Sequence, residues 1–191
     1  MKVSIVTVVY NNKEYIKDSI NSVLGQRYND IEYIIIDGGS NDGTLEIIKE
    51  YGNKISKIVS EKDNGLYDAM NKGFKLATGD IIGILSSDDV YIDDIVISKV
   101  VEAFKKEKTD CLYADLLYVN EKDINKIIRH WAPSDFIPGS FIKGWHPPHP
   151  TFFVKQNIYK DYGYIDDSLK VSADFELMLS VRALAGLPGG M

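Results

Sequence analysis

A chain of 191 residues, 45% of them hydrophobic, is long enough to fold as one α/β domain with a sizeable core. Its formal net charge of −6 and scarcity of basic clusters argue against nucleic acid as the main partner, and its single cysteine, Cys111, excludes an internal disulfide and fits a reducing compartment. No apolar stretch reaches membrane-spanning length, and the N-terminus runs straight into a strand rather than a signal peptide. The expected location is therefore cytoplasmic, with peripheral contact at the inner face of the membrane left open.

The β-branched run over residues 3–10 predicts a first, fully buried strand. Asn11 and Asn12 make the turn, and Ile16, Ile20, Val23 and Leu24 then recur at helical spacing up to Gly25. Residues 31–37 are a second apolar run ending on Asp37. A glycine-rich loop over 38–43 leads into a helix over 44–51, with Asp42 or Thr44 as its cap. A short strand over 55–60 precedes a helix over 66–77, whose inward face carries Ala69, Met70, Phe74 and Ala77. Residues 81–85 form a strand that opens into Ser86-Ser87-Asp88-Asp89, and residues 91–106 read as a helix with a Lys-rich end that suits the dipole.

Strands alternating with helices at this spacing imply a mostly parallel central sheet with helices on both faces. Beyond residue 110 the pattern changes. Residues 111–119 and 127–131 read as strands with no helix between them, hence a mixed C-terminal edge. Residues 132–150 hold five of the six prolines together with Gly139 and Gly144, and predict a long, mobile loop. Helix returns over 171–183 with Ser172 as cap. Residues 185–191 lack periodicity and resemble a cloning tail or a premature stop, so the domain is expected over 1–184 and in C-terminally truncated form.

Acids stand at three predicted strand ends: Asp37, Asp63, and the pair Asp88–Asp89. A doubly wound sheet brings such ends to one edge, where ligands of open α/β folds bind. Two adjacent carboxylates there suit Mg²⁺ or Mn²⁺ shared with a phosphate-bearing substrate. A helix-capping role for Asp88 or Asp89, and a turn role for Asp37, are the structural alternatives. Neither a P-loop nor the dinucleotide glycine fingerprint is present, since Tyr10-Asn11-Asn12-Lys13 follows the first strand. His146 and His149 match no zinc spacing and are read as shaping their loop, with His149 near the donor phosphates or the acceptor. Trp145 either stacks on an acceptor sugar or anchors that loop by packing.

Three blocks in order carry a family resemblance: Ser4-Ile5-Val6-Thr7-Val8-Val9-Tyr10-Asn11, then Tyr33 through Asp37-Gly38-Gly39-Ser40 to Asp42-Gly43-Thr44, then Gly79-Asp80 through Ser87-Asp88-Asp89. Together they resemble family 2 glycosyltransferases of the GT-A fold, over residues 1 to about 182, and most resemble bacterial enzymes that build surface polysaccharides or glycolipids. The resemblance implies an inverting transferase that moves a sugar from a nucleotide diphosphate, UDP for preference, to a hydroxyl on a saccharide or lipid-linked acceptor. It also implies that Val8 and Tyr10 border the nucleobase, Asp37 holds base or ribose, Asp63 sits beside the nucleotide, Asp88 faces ribose or sugar, and Asp89 ligates Mn²⁺ or Mg²⁺. Asp174 would be the catalytic base, in preference to Glu176. One departure stands out: many relatives carry arginine where this chain has Met70, and Lys62 and Lys72 are read as solvated surface lysines, with supply of that charge as the alternative. Two rival functions are a sugar-nucleotide-forming nucleotidyltransferase, which ordinarily has a Gly/Lys-rich loop after the first strand, and a non-catalytic nucleotide-binding domain.

Overall fold

The computed structural model describes residues 1–185, with side chains through residue 180. Strands β1 (Val3–Val9), β2 (Ile31–Asp37), β3 (Lys57–Ser60) and β4 (Ile81–Ile84) run parallel, joined by helices α1 (Ile16–Leu24), α2 (Thr44–Glu50) and α3 (Leu66–Leu76). Helix α4 (Val96–Glu107) follows β4 and leads to the short β5 (Cys111–Leu112). Strands β6 (Leu116–Asn120) and β7 (Asp123–Trp131) pair only with each other, as an antiparallel ribbon outside the main sheet. The chain then returns through β8 (Phe153–Lys155), α5 (Gln156–Tyr162) and α6 (Ala173–Ala185). Strand order in the main sheet is β3-β2-β1-β4-β8-β5, with β8 antiparallel to both neighbours.

The two-residue period of each strand divides the core in two. Val6, Val8, Ile34 and Ile36 face α3, α5 and α6 through Met70, Phe74, Tyr159 and Met178. Ile5, Val9, Tyr33 and Ile35 face α1, α2 and α4 through Ile16, Ile20, Ile48 and Phe104. Burying each such side chain is worth about 1.5–3 kcal/mol. The architecture is thus the expected one, a mostly parallel sheet covered on both faces with a mixed edge.

Four local expectations are corrected. Helix α4 starts at Val96 rather than near residue 91, because Asp93 Oδ1 accepts the Ile95 N–H and Gln26 Oε1 accepts the Ile97 N–H. The stretch 111–119 is two strands in two different sheets. Strand β8 and helix α5 went unread, since a three-residue strand and a seven-residue helix carry too little periodicity. The proline-rich segment is anchored rather than loose: Phe141, Pro147 and Pro148 are buried, and Trp145 packs edge-on against Phe141. The tail expected over 185–191 falls, beyond Ala185, outside the described residues.

Candidate active site

The chain leaves β1 toward β2 on one side and comes back to β4 on the other, so strand order reverses at β1. Loops that follow the two strands therefore diverge at their carboxyl ends and open a crevice. Asn12 ties these loops together by donating from Nδ2 to Ser87 Oγ at 2.8 Å, and Ser19 of α1 donates to the Ser86 carbonyl at 3.2 Å. The Asp89 N–H donates back to the same carbonyl, closing a tight turn that presents both acids. Asp88 is exposed and Asp89 is partly covered. Burial raises the Asp89 carboxyl above its ordinary range, the Asp88 charge adds to that, and a hydrogen bond from Ser86 opposes it.

Neither acid caps a helix, for α4 begins seven residues beyond Asp89. Among the described residues neither has a basic side chain within ion-pair distance. Two hard carboxylates without a protein cation, one of them penalised as an anion, fit a divalent ion. No group of three or more metal-binding side chains gathers among the described residues, so an ion here would need further oxygens from a ligand or water.

Tyr10, 63% exposed, stands at the mouth after β1. Across from it Gly38 leaves room for Asp63: a Cβ at Gly38 would overlap the Asp63 carboxylate and touch the Tyr10 ring. Tyr10, Gly38 and Asp63 thus converge. Asp37 and Val8 are placed differently from the expectation. Asp37 is fully buried; its Oδ2 accepts from Ser60 Oγ at 2.6 Å, and Ser40 donates to it through both its hydroxyl and its N–H. Its carboxylate builds the turn that carries Gly38 and Gly39. Val8 lies in the core beneath Tyr10 and faces Ile36 and Met70 rather than the opening.

Asp174 arrives from the far end of the chain, in the first turn of α6. Its Oδ1 accepts from the Tyr67 hydroxyl at 3.2 Å, and its Oδ2 lies 3.1 Å from His149 Nδ1. Tyr67 also accepts the Ala173 N–H at 3.3 Å, which locks the start of α6 onto α3. Burial lowers the pKa of His149, the Asp174 charge raises it, and His146 lowers it; the outcome is a value below the ordinary one. Because a carboxylate only accepts, the His149 Nδ1 that faces Asp174 is the nitrogen that carries the proton. The side chain of Asp174 remains 26% exposed, open to a further donor. Glu176 instead accepts from Ser180 one turn along at 2.6 Å. Antiparallel pairing of Gly83 with Phe153 runs residues 149–152 past the end of β4, which brings His149, and Asp174 with it, to the edge that bears Asp88 and Asp89.

Several positioning residues escaped the sequence reading: Asn12, Ser40, Ser60, Tyr67 and Asn71. Asn71 is buried and clamps the segment before α6, donating to the Ile165 carbonyl at 2.8 Å and accepting the Ile165 N–H at 3.1 Å. Met70 packs inward and lines a cavity of about 30 Å³ beneath His149 and Asp174. Lys72 cannot replace the arginine's charge freely, since Glu61 and Asp68 hold it at 2.9 and 3.4 Å. Trp145 does anchor its loop, donating to Ser134 Oγ at 2.9 Å.

A mostly parallel sheet covered on both faces, open at its switch point and mixed at one edge is the fold of GT-A transferases, and solved structures share it. The chain superposes over its whole length on S. aureus TarS with a TM-score of 0.79 at 22% identity, covering 35% of that chain. Its TM-score is 0.75, at 21% identity and 56% of that chain, with TarS 1-349 in complex with UDP-GlcNAc, and 0.74, at 16% identity and 54% of that chain, with the Pyrobaculum calidifontis mannosyltransferase PcManGT in complex with GDP-Man and Mn²⁺. The sequence model for "Glycosyl transferase family 2" matches residues 4–166, and the chain belongs to that family. Relatives described as uncharacterized glycosyltransferases include MJ1057 of Methanocaldococcus jannaschii, 30% identical over 93% of this chain and 63% of that protein. Another is Rv1514c of Mycobacterium tuberculosis, 30% identical over 93% of this chain and 67% of that protein. The chain spans about two thirds of the length of these relatives. No described helix is long and apolar enough to cross a membrane.

Proposed function

We propose that the chain is the donor-binding and catalytic part of a metal-dependent, inverting glycosyltransferase that moves a sugar from a nucleotide diphosphate, UDP for preference, to a hydroxyl acceptor in surface polysaccharide or glycolipid synthesis. The observation that carries this reading is the Asp88–Asp89 pair, set without a cationic partner at the switch point, on the edge that also receives Asp174. The complexes of family-fold neighbours with UDP-GlcNAc and with GDP-Man and Mn²⁺ agree in kind.

Tyr10 and Asp63 flank the nucleoside, on a turn that Asp37 shapes from below, and Asp88 faces the ribose or sugar. Asp89 would hold Mn²⁺ or Mg²⁺, which neutralises charge on a departing diphosphate. Asp174 takes the proton from the acceptor hydroxyl as its oxygen attacks the anomeric carbon and the bond to the diphosphate breaks. Tyr67 and His149 hold that carboxylate in place from two sides. The proposed reaction is one displacement by the acceptor oxygen, which inverts the configuration at the anomeric carbon.

Calorimetry with UDP, with and without Mn²⁺, tests the reading. Mn²⁺ should strengthen UDP binding to the native chain, and Asp89→Ala should abolish that dependence. Because Asp89 is penalised as an anion, its folded-state pKa lies above the unfolded value, and at neutral pH the charge destabilises the metal-free fold. The metal-free variant should accordingly melt no lower than the native chain. Unchanged Mn²⁺-dependent affinity in a folded Asp89→Ala variant would remove the metal assignment.

A further inference from the structure

The β6–β7 ribbon stands clear of the main sheet, and its base forms one wall of an open cleft of about 300 Å³. Arg129, Trp131, Ser134, Trp145 and His146 line it. Arg129 is exposed and, among the described residues, has no carboxylate within ion-pair distance, in a chain whose net charge is −6. Its guanidinium lies over the rings of Tyr118 and Trp131, at 5.4 and 5.3 Å from their centroids. Aromatic faces on a guanidinium fix its plane and leave its N–H edges to donate, the geometry that suits an oxyanion. The other wall is Trp145, whose ring is held by its bond to Ser134. Trp131 contacts His146 edge-on at 5.3 Å, and His146 contacts Phe175 at 5.6 Å, so the cleft ends beside the residue next to Asp174. At the opposite tip of the ribbon, Glu121 accepts from the hydroxyl of Tyr15, which lies in the turn between β1 and α1 beside Asn12. The ribbon therefore reaches from the donor edge to the cleft.

We infer that this cleft is the acceptor subsite and that it takes a saccharide bearing an oxyanion, a carboxylate or a phosphate, with Arg129 on the charge and Trp131 and Trp145 on the sugar ring. The inference deepens the transferase reading and rests on it, because only the neighbourhood of Asp174 makes the bound sugar an acceptor. Apolar sugar faces stack on tryptophan, and the anionic group supplies the directional contact.

Trp131 and Trp145 are the only tryptophans in the chain, so intrinsic fluorescence reports on this cleft without donor, metal or turnover. Glucose 6-phosphate, glucuronate, glucose and inorganic phosphate are titrated into the native chain and into Arg129→Gln. At least one anionic sugar should change the emission saturably, and glucose should bind at least about tenfold more weakly. The phosphate and carboxylate arms show which oxyanion is preferred. Arg129→Gln, altered at an exposed position, should keep its melting temperature and lose the preference. Equal binding of glucose and both anionic sugars, no response to either anionic sugar, inorganic phosphate matching the sugar phosphate, or an unchanged preference in Arg129→Gln would each overturn the inference. A cleft that binds anionic sugar in a chain that fails the UDP–Mn²⁺ test would instead refute the transferase reading alone.

Discussion

Asp174 shows how much a single carboxylate can be asked to do. As a first-turn acid it favours the helix dipole, worth about 0.3–1 kcal/mol, and with Tyr67 and His149 it pins α6 to α3 and to the proline-rich segment. As the proposed base it would govern the rate by typically 10²–10⁴-fold. Asp174→Asn separates these roles, for the amide keeps the shape and an acceptor for Tyr67 while it loses the ability to take a proton. Turnover should fall by roughly that factor while UDP affinity, measured with Mn²⁺, stays within about twofold of the native value. Near-native turnover would leave Asp174 with its packing role only. At the same scale, Asp37 is a reminder that an acid at a strand end can face inward: two serine hydroxyls meet it, and its influence on a ligand runs through the turn it builds.

Among the elements, β8 decides where the segment that carries His149 sits. It lies against β4 because Gly83 has no side chain: a Cβ there would enter the Phe153 ring. Gly83→Ala should force that ring aside and destabilise the fold by about 1–3 kcal/mol, read from the midpoint of urea unfolding. A midpoint equal to the native one would mean the pairing tolerates the methyl group. The strands and helices up to residue 107 were legible in the sequence because each is an apolar run or a strongly periodic stretch, and apart from the start of α4 their boundaries hold within a few residues. The placement of Asp88 and Asp89 at a strand end was legible from the pattern of residues 81–89, whereas Asp174 was singled out only through the family resemblance. What was not legible depended on partners distant in sequence. Nothing local announces that Phe153 pairs with Gly83, that Asn71 clamps Ile165, or that Tyr67 reaches Asp174; a glycine inside a buried strand was the one available hint of close approach.

At the scale of the whole molecule, the edge of the sheet opposite the crevice carries its own charged cluster. Glu32 is only 5% exposed; burial alone would raise its carboxyl, but hydrogen bonds from Ser4, from Thr78 twice, and from Lys57 hold it at about 2. An acid whose folded pKa is depressed stabilises the fold above its unfolded pKa and loses that contribution as pH falls through the folded one. Between about pH 5 and pH 2 the native chain should lose on the order of 3 kcal/mol, and Glu32→Gln, less stable at neutral pH, should show a flatter acid limb in urea unfolding. Parallel limbs would exclude Glu32 as the source. The insertion of β8 beside β4 also has a meaning in time. During synthesis β4 is finished about seventy residues before its partner exists, roughly 4–14 s at about 5–20 residues per second. Through that interval the outer rim of Ile81–Ile84 presents unpaired backbone groups, the kind of surface on which nascent chains associate. The pairing that seals the rim also sets His149 beside the end of β4, and Asp174 joins it only when α6 has followed.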